Sequence, residues 1–174
     1  MQYENNLASA SEWGLRESDL SWSLEELLES DLDLVVNLTP TNLHEDINLQ
    51  IIDANTDLLS EKAIATSGTG GRIQAERARL KKVLAYSVFN YTFYPAFQDM
   101  VWLIRNGQIG EPYLIEAQMR QEGYLSNREP SGLLNVQNWR LVDYAIPTLH
   151  LDLGSHLFNA ASLLGSSAFT KGQL

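Results

Sequence analysis

Asp152-Leu153-Gly154-Ser155-His156 joins a carboxylate and an imidazole at i and i+4, so on a helix they share one face. Histidine is the natural proton carrier near neutral pH, and a carboxylate one turn away orients it or raises its pKa. The plainer alternative is an N-terminal Asp favoured by the helix dipole beside an incidental His. Gly154, poor helix material in a first turn, points to something packing closely there. Glu61-Lys62 sets a cation beside a carboxylate, either on a ligand-binding edge or as an exposed pair worth little. Thr39-Pro40-Thr41-Asn42, with His44 close behind, is either a ligand-binding strand end or a strand–helix turn with a Thr or Asn cap. His150, Asp152 and His156 also spell a two-His-one-carboxylate pattern. On one continuous helix His150 and His156 point in different directions, so no metal is expected.

These residues need elements to hold them. Residues 7–13 read as the end of a helix, with Gly14 at its C′ position. Ser23 and Glu26 form a capping box for a short helix to about Ser30. Residues 34–38 read as a strand buried on both faces, ended by Thr39-Pro40. A helix from Thr41 or Asn42 follows, with Leu43, Ile47, Ile51 and Ala54 on its apolar side. Leu58-Leu59 is a second strand. Residues 67–71 are a turn before a charged helix to about Ala85, and residues 86–91 are a third strand. Strand and helix alternate, which argues for a parallel α/β sheet. After Pro95 the pattern changes. An amphipathic helix over 96–106 carries Phe97, Val101 and Ile104, and Asn106-Gly107 stops it. Residues 111–120 alternate like a strand, residues 121–138 read as a polar loop, and residues 152–164 form a last helix closed by Gly165. A domain boundary falls near 91–95.

Composition narrows the classes. The chain is 44% apolar and has no cysteine, so it can bury a core but has no disulfide scaffold, thiolate nucleophile or Cys-ligated metal. Residues 1–50 hold 11 acids and one base, Arg16, so the net charge of −10 sits there. Such a face repels phosphate backbones, and nucleic acid is not an expected partner. The basic group Arg72, Arg77, Arg79, Lys81 and Lys82 lacks interleaved aromatics and reads as a solvated helix face. No leader-like or membrane-spanning stretch is read, so the expected setting is the cytoplasm without membrane partners.

In order and spacing, the motifs resemble the glucose–fructose oxidoreductase / inositol dehydrogenase / MocA (Gfo/Idh/MocA) group of NAD(P)-dependent oxidoreductases. The matching stretches are 33–40 with His44, Glu61-Lys62, Asn90-Tyr91-Thr92-Phe93-Tyr94-Pro95 and residues 107–111. Trp139-Arg140 and residues 152–156 complete the set. The resemblance implies an α/β fold: a partial Rossmann-like parallel sheet over 1–93, then the start of an α+β substrate and oligomerisation domain over 94–174. It implies hydride transfer between NAD or NADP and the carbinol of a sugar, cyclitol or related small molecule, with a homo-oligomer as the assembled form. Lys62 would polarise the reacting oxygen, His156 would move the hydroxyl proton, and Asp152 would orient substrate or His156. Thr39, Pro40, Asn42, His44, Glu61 and Lys62 would lie on the cofactor, with Asn90, Trp139 and Arg140 as further contacts. The family's Gly-x-Gly-x-x-Gly is not found, and Ala63 stands where the family has Pro. The resemblance therefore implies a chain truncated at both ends, with weak cofactor binding. A catalytically inactive interaction or regulatory module is the alternative.

Overall fold

A computed structural model describes residues 8–121 and 137–165. Three strands, β1 (Leu34–Asn37), β2 (Asp57–Glu61) and β3 (Ala85–Val88), form one parallel sheet in the order β1-β2-β3. The register aligns Val36 with Leu59 and Leu59 with Tyr86. It likewise aligns Asn37 with Ser60 and Ser60 with Ser87. Helix α2 (His44–Asp53) connects β1 to β2, and α3 (Gly68–Lys81) connects β2 to β3. The two helices pack together on one side of the sheet. The fold class is the expected one, Rossmann-like and parallel.

The core gathers Val35, Ile51, Ile52, Leu58 and Ala78. The short helix α1 (Leu24–Leu28) adds Leu24, Leu27 and Leu28 to its rim. Ser23 caps α1 by accepting from the Glu26 amide at 3.0 Å. Glu26 accepts in turn from the Trp22 amide at 2.7 Å, one residue before the position a capping box predicts. Residues 8–12 are helical, and Gly14 has a φ of +73°, which a glycine there supplies without strain.

Several expectations are corrected. β1 is not buried on both faces: Val35 is buried, but Leu34 and Val36 are about half exposed, because the described helices cover one face only. The buried side of α2 is His44, Asn48, Ile51 and Ile52, while Leu43 is exposed. Residues 68–71 are not a turn but the first turn of α3. Ser67 is its N-cap, accepting from the Gly70 amide at 2.9 Å. The Glu45 carboxylate lies 2.2 Å from where a Gly70 Cβ would be, so a larger residue there would make that side chain swing aside. α3 stops at Lys81, and Lys82 takes the left-handed conformation. β3 ends at Val88, and Asn90–Phe93 is a 3₁₀ turn rather than strand.

Helix α4 (Pro95–Arg105) begins on its proline and buries Val101, with Phe97 and Ile104 half-buried. Gly107, at φ +66°, closes it. Residues 111–121 are not a strand: they are largely exposed and no described strand pairs with them. Alternation alone does not supply a pairing partner. Most of the expected 121–138 loop lies outside the described residues. A helix begins at 148, widens into a π turn over His150–Gly154 and continues as α5 (Ser155–Leu164). Gly165 ends it in an extended conformation. A Cβ on Gly154 meets only His150 and Phe158 of the same helix, at 3.4 Å and beyond, so no other element packs closely there. Among the described residues no helix is long and apolar enough to cross a membrane.

Candidate active site

The carboxyl ends of parallel strands are where α/β sheets present ligand-binding loops, and the candidate residues gather at that edge. Lys62 follows β2, and its ammonium donates to the Asp152 carboxylate at 2.6 Å and to the Asp152 carbonyl at 2.7 Å. Ninety residues separate them in the chain. The Ile146 amide helps close that distance by donating to the Thr66 carbonyl at 3.1 Å, tying the approach to the π turn onto the loop after β2. Both side chains of the pair are about 15% exposed, so the charges are shielded from water. The second carboxylate oxygen of Asp152 faces the Arg140 guanidinium at 3.3 Å. Asp152 thus holds two cations.

His156 lies one turn further on and is buried. Tyr91 meets its ring edge-on at 4.6 Å and Phe89 at 5.8 Å. Its Nδ1 is buried, with no hydrogen-bond partner among the described residues. Burial pushes its pKa below the ordinary imidazole value, and the Lys62 charge pushes in the same direction. The carboxylates of Asp152 and Glu61 pull the other way without prevailing. Asp152 thus acts on this pKa in the expected upward direction, but burial and Lys62 outweigh it. Its carboxylate is committed to Lys62 and Arg140, and burial dominates. What results is a neutral imidazole near neutral pH beside an ammonium.

Around this cluster the other candidates divide. Thr39 is half-buried, and its hydroxyl donates to the Asn37 side chain at 2.7 Å. Pro40, Asn42 and Asn90 are exposed along the edge. Glu61 is half-buried, and its carboxylate accepts from the Lys62 amide at 2.9 Å. His44 lies beneath the edge, not on it, fully enclosed and bonded to main chain. Trp139 is buried, its indole N–H donating to Gln137 at 2.8 Å, and the Arg140 guanidinium stacks 5.0 Å over its ring. Arg140 therefore braces Asp152, and Trp139 backs Arg140. A cavity of about 620 Å³ adjoins the cluster, lined mostly by apolar groups that include Ile64, Phe89, Ile146, Leu151 and Phe158.

Sequence reasoning missed two groups. Phe89 and Tyr91, which wall His156, sit at the end of a misread strand. The second is a buried polar network under the edge. Asn48 accepts from Asn37 at 2.8 Å and reaches Ser60 at 3.1 Å and Gln74 at 3.0 Å. Gln74 donates to the Ile64 carbonyl at 2.8 Å. The available signal was Asn48 and Gln74 recurring on otherwise inward helix positions. Among the described residues, no group of three His, Asp or Glu side chains stands ready for a metal ion.

No family model matches the chain. It is 29% identical over 142 residues to an uncharacterized oxidoreductase of Schizosaccharomyces pombe, covering 81% of this chain and 36% of that protein. It is 26% identical over 99 residues to the scyllo-inositol 2-dehydrogenase (NAD(+)) of Bacillus subtilis, covering 57% of this chain and 29% of that enzyme. In fold it is similar to a levoglucosan dehydrogenase solved with NADH and levoglucosan. The TM-score is 0.71 at 19% identity, over 92% of this chain and 42% of that one. The chain spans about a third of the length of the curated relatives it matches. The resemblance to oxidoreductases of the Gfo/Idh/MocA group is borne out.

Proposed function

We propose that this chain carries the nicotinamide-side and proton-transfer residues of an NAD(P)-linked oxidoreductase acting on the carbinol of a sugar, cyclitol or related substrate. The observation that carries the reading is the 2.6 Å Lys62–Asp152 pair with a buried, neutral His156 beside it. The two named relatives, an NAD(+)-linked inositol dehydrogenase and a levoglucosan dehydrogenase, support the cofactor and substrate class. The domain division that goes with it runs 1–93 for the cofactor half and 94–174 for the substrate half.

The residues fit a nicotinamide end. Thr39, Pro40, Asn42, Glu61 and Asn90 line an open strand edge, and the buried His156 Nδ1 has no polar partner among the described residues. When bound, the nicotinamide supplies the hydride acceptor or donor. The chain supplies the rest. In the oxidation direction neutral His156 takes the hydroxyl proton. The Lys62 ammonium donates to the oxygen as alkoxide charge builds there, the point where a preorganised donor is worth most. Asp152 keeps Lys62 aimed, and Arg140 keeps Asp152 in place. Phe89 and Tyr91 exclude water from the imidazole.

The test is NAD(P)-linked turnover against a sugar and polyol panel, for the natural chain and Lys62→Ala. Turnover that survives the substitution unchanged removes Lys62 from the mechanism.

A further inference from the structure

His44 opens α2 and is 1% exposed. Its Nδ1 lies 2.7 Å from the Ala63 carbonyl oxygen and its Nε2 lies 2.6 Å from the Thr39 carbonyl oxygen. One carbonyl belongs to the loop after β1 and the other to the residue after Lys62. Close by, the Thr41 hydroxyl donates to the Lys62 carbonyl at 3.5 Å. Carbonyl oxygens only accept, so each of the two short contacts calls for an N–H on its ring nitrogen. A ring with one N–H makes one of these bonds and sets two acceptors against each other in the other. A ring with two makes both.

We propose that His44 is a positioning residue of the candidate site, an imidazolium that clamps the two loops together and so sets where the Lys62 ammonium meets Asp152. Two charge-assisted hydrogen bonds offset much of the cost of enclosing the charge. The charged groups on the adjoining segments are Glu45 and Asp46 in the same first turn, Glu61 at the end of β2 and Lys62 after it. An amide is a poor substitute for the imidazole: it donates from one nitrogen and cannot reach in two opposite directions. Any effect of the clamp on turnover rests on the oxidoreductase reading. The clamp itself does not.

The experiment uses the full chain, labelled with ¹⁵N, at pH 7. Long-range proton–nitrogen spectra of the histidine rings, with His44→Gln to assign the signals, report each ring nitrogen. Two protonated nitrogens on His44 are expected; one unprotonated nitrogen overturns the proposal. The positioning role is read by limited acetylation with acetic anhydride and mass spectrometry, using Lys82 as internal reference. Lys62 is expected to react several-fold faster in His44→Gln than in the natural chain, and an equal ratio overturns the positioning role. Should His44→Gln fail to fold by circular dichroism, Thr41→Val is expected to speed Lys62 acetylation too, and no change there overturns it. With turnover in hand, His44→Gln is expected to lower kcat and leave KM for the cofactor unchanged. A natural chain without turnover removes the oxidoreductase reading and leaves the ring spectra and acetylation to judge the clamp.

Discussion

Lys62→Met, Asp152→Leu and their combination form a double-mutant cycle on the pair that anchors the site. Two unit charges 2.6 Å apart attract by about 6 kcal/mol at an effective dielectric of about 20. Each ion's own desolvation cancels in such a cycle, so the coupling reads the attraction itself, about 2–6 kcal/mol for a close, largely shielded pair. The Arg140 guanidinium at 3.3 Å softens the loss in Lys62→Met, since Asp152 retains one cation. Asp152→Leu takes from Lys62 and Arg140 the carboxylate they share, so it is the more damaging single change. The double variant recovers part of that loss. Urea unfolding followed by circular dichroism gives the three stability differences. The expected coupling is at least about 2 kcal/mol, with Lys62→Met lowering the melting temperature by about 6 °C. A coupling below about 0.5 kcal/mol refutes the pairing on which the account of the site rests.

Three further outcomes follow from the geometry. His156 titrates below its ordinary value of 6.5 in the folded chain, so its stabilising effect is fully present above that pH. That effect is lost as the pH falls from 6.5 through the folded value, because the unfolded chain takes up the proton first. His156→Phe should flatten this part of the stability–pH curve, and an unaltered slope counts against it. Asn48→Leu should cost about 3 kcal/mol in urea unfolding, because it strands Asn37, Ser60 and Gln74 in the interior; a loss under about 1 kcal/mol counts against the network. Ser67→Ala removes the cap of α3 and should cost about 1 kcal/mol by the same assay, while Ser67→Asp should cost almost nothing.

The sheet was legible because β1, β2 and β3 are short apolar runs separated by helical spacing, a pattern local enough to read from the chain. Lys62, Asp152 and His156 were legible as motifs, each with a spacing that suits its chemistry. Their geometry was not. That the Asp152 carboxylate turns to Lys62 and Arg140 depends on a contact across ninety residues and on a π turn that no residue pattern announces. Residues 111–120 alternate convincingly, yet alternation says which side chains share a face and not whether a partner strand exists. His44 read as a cofactor contact on the edge, and Asn48 went unread as one polar residue on a helix. They are buried because the loops after β1 and β2 need their carbonyls satisfied from beneath.

Reduction of NAD(P) by the full chain with a panel of cyclitols and sugars, set against the same reaction by Lys62→Ala, tests the central claim most directly. The account predicts turnover in the natural chain that falls at least about a hundredfold on loss of the Lys62 ammonium. Equal rates in the two chains, or no reduction with any carbinol in the panel, contradict it.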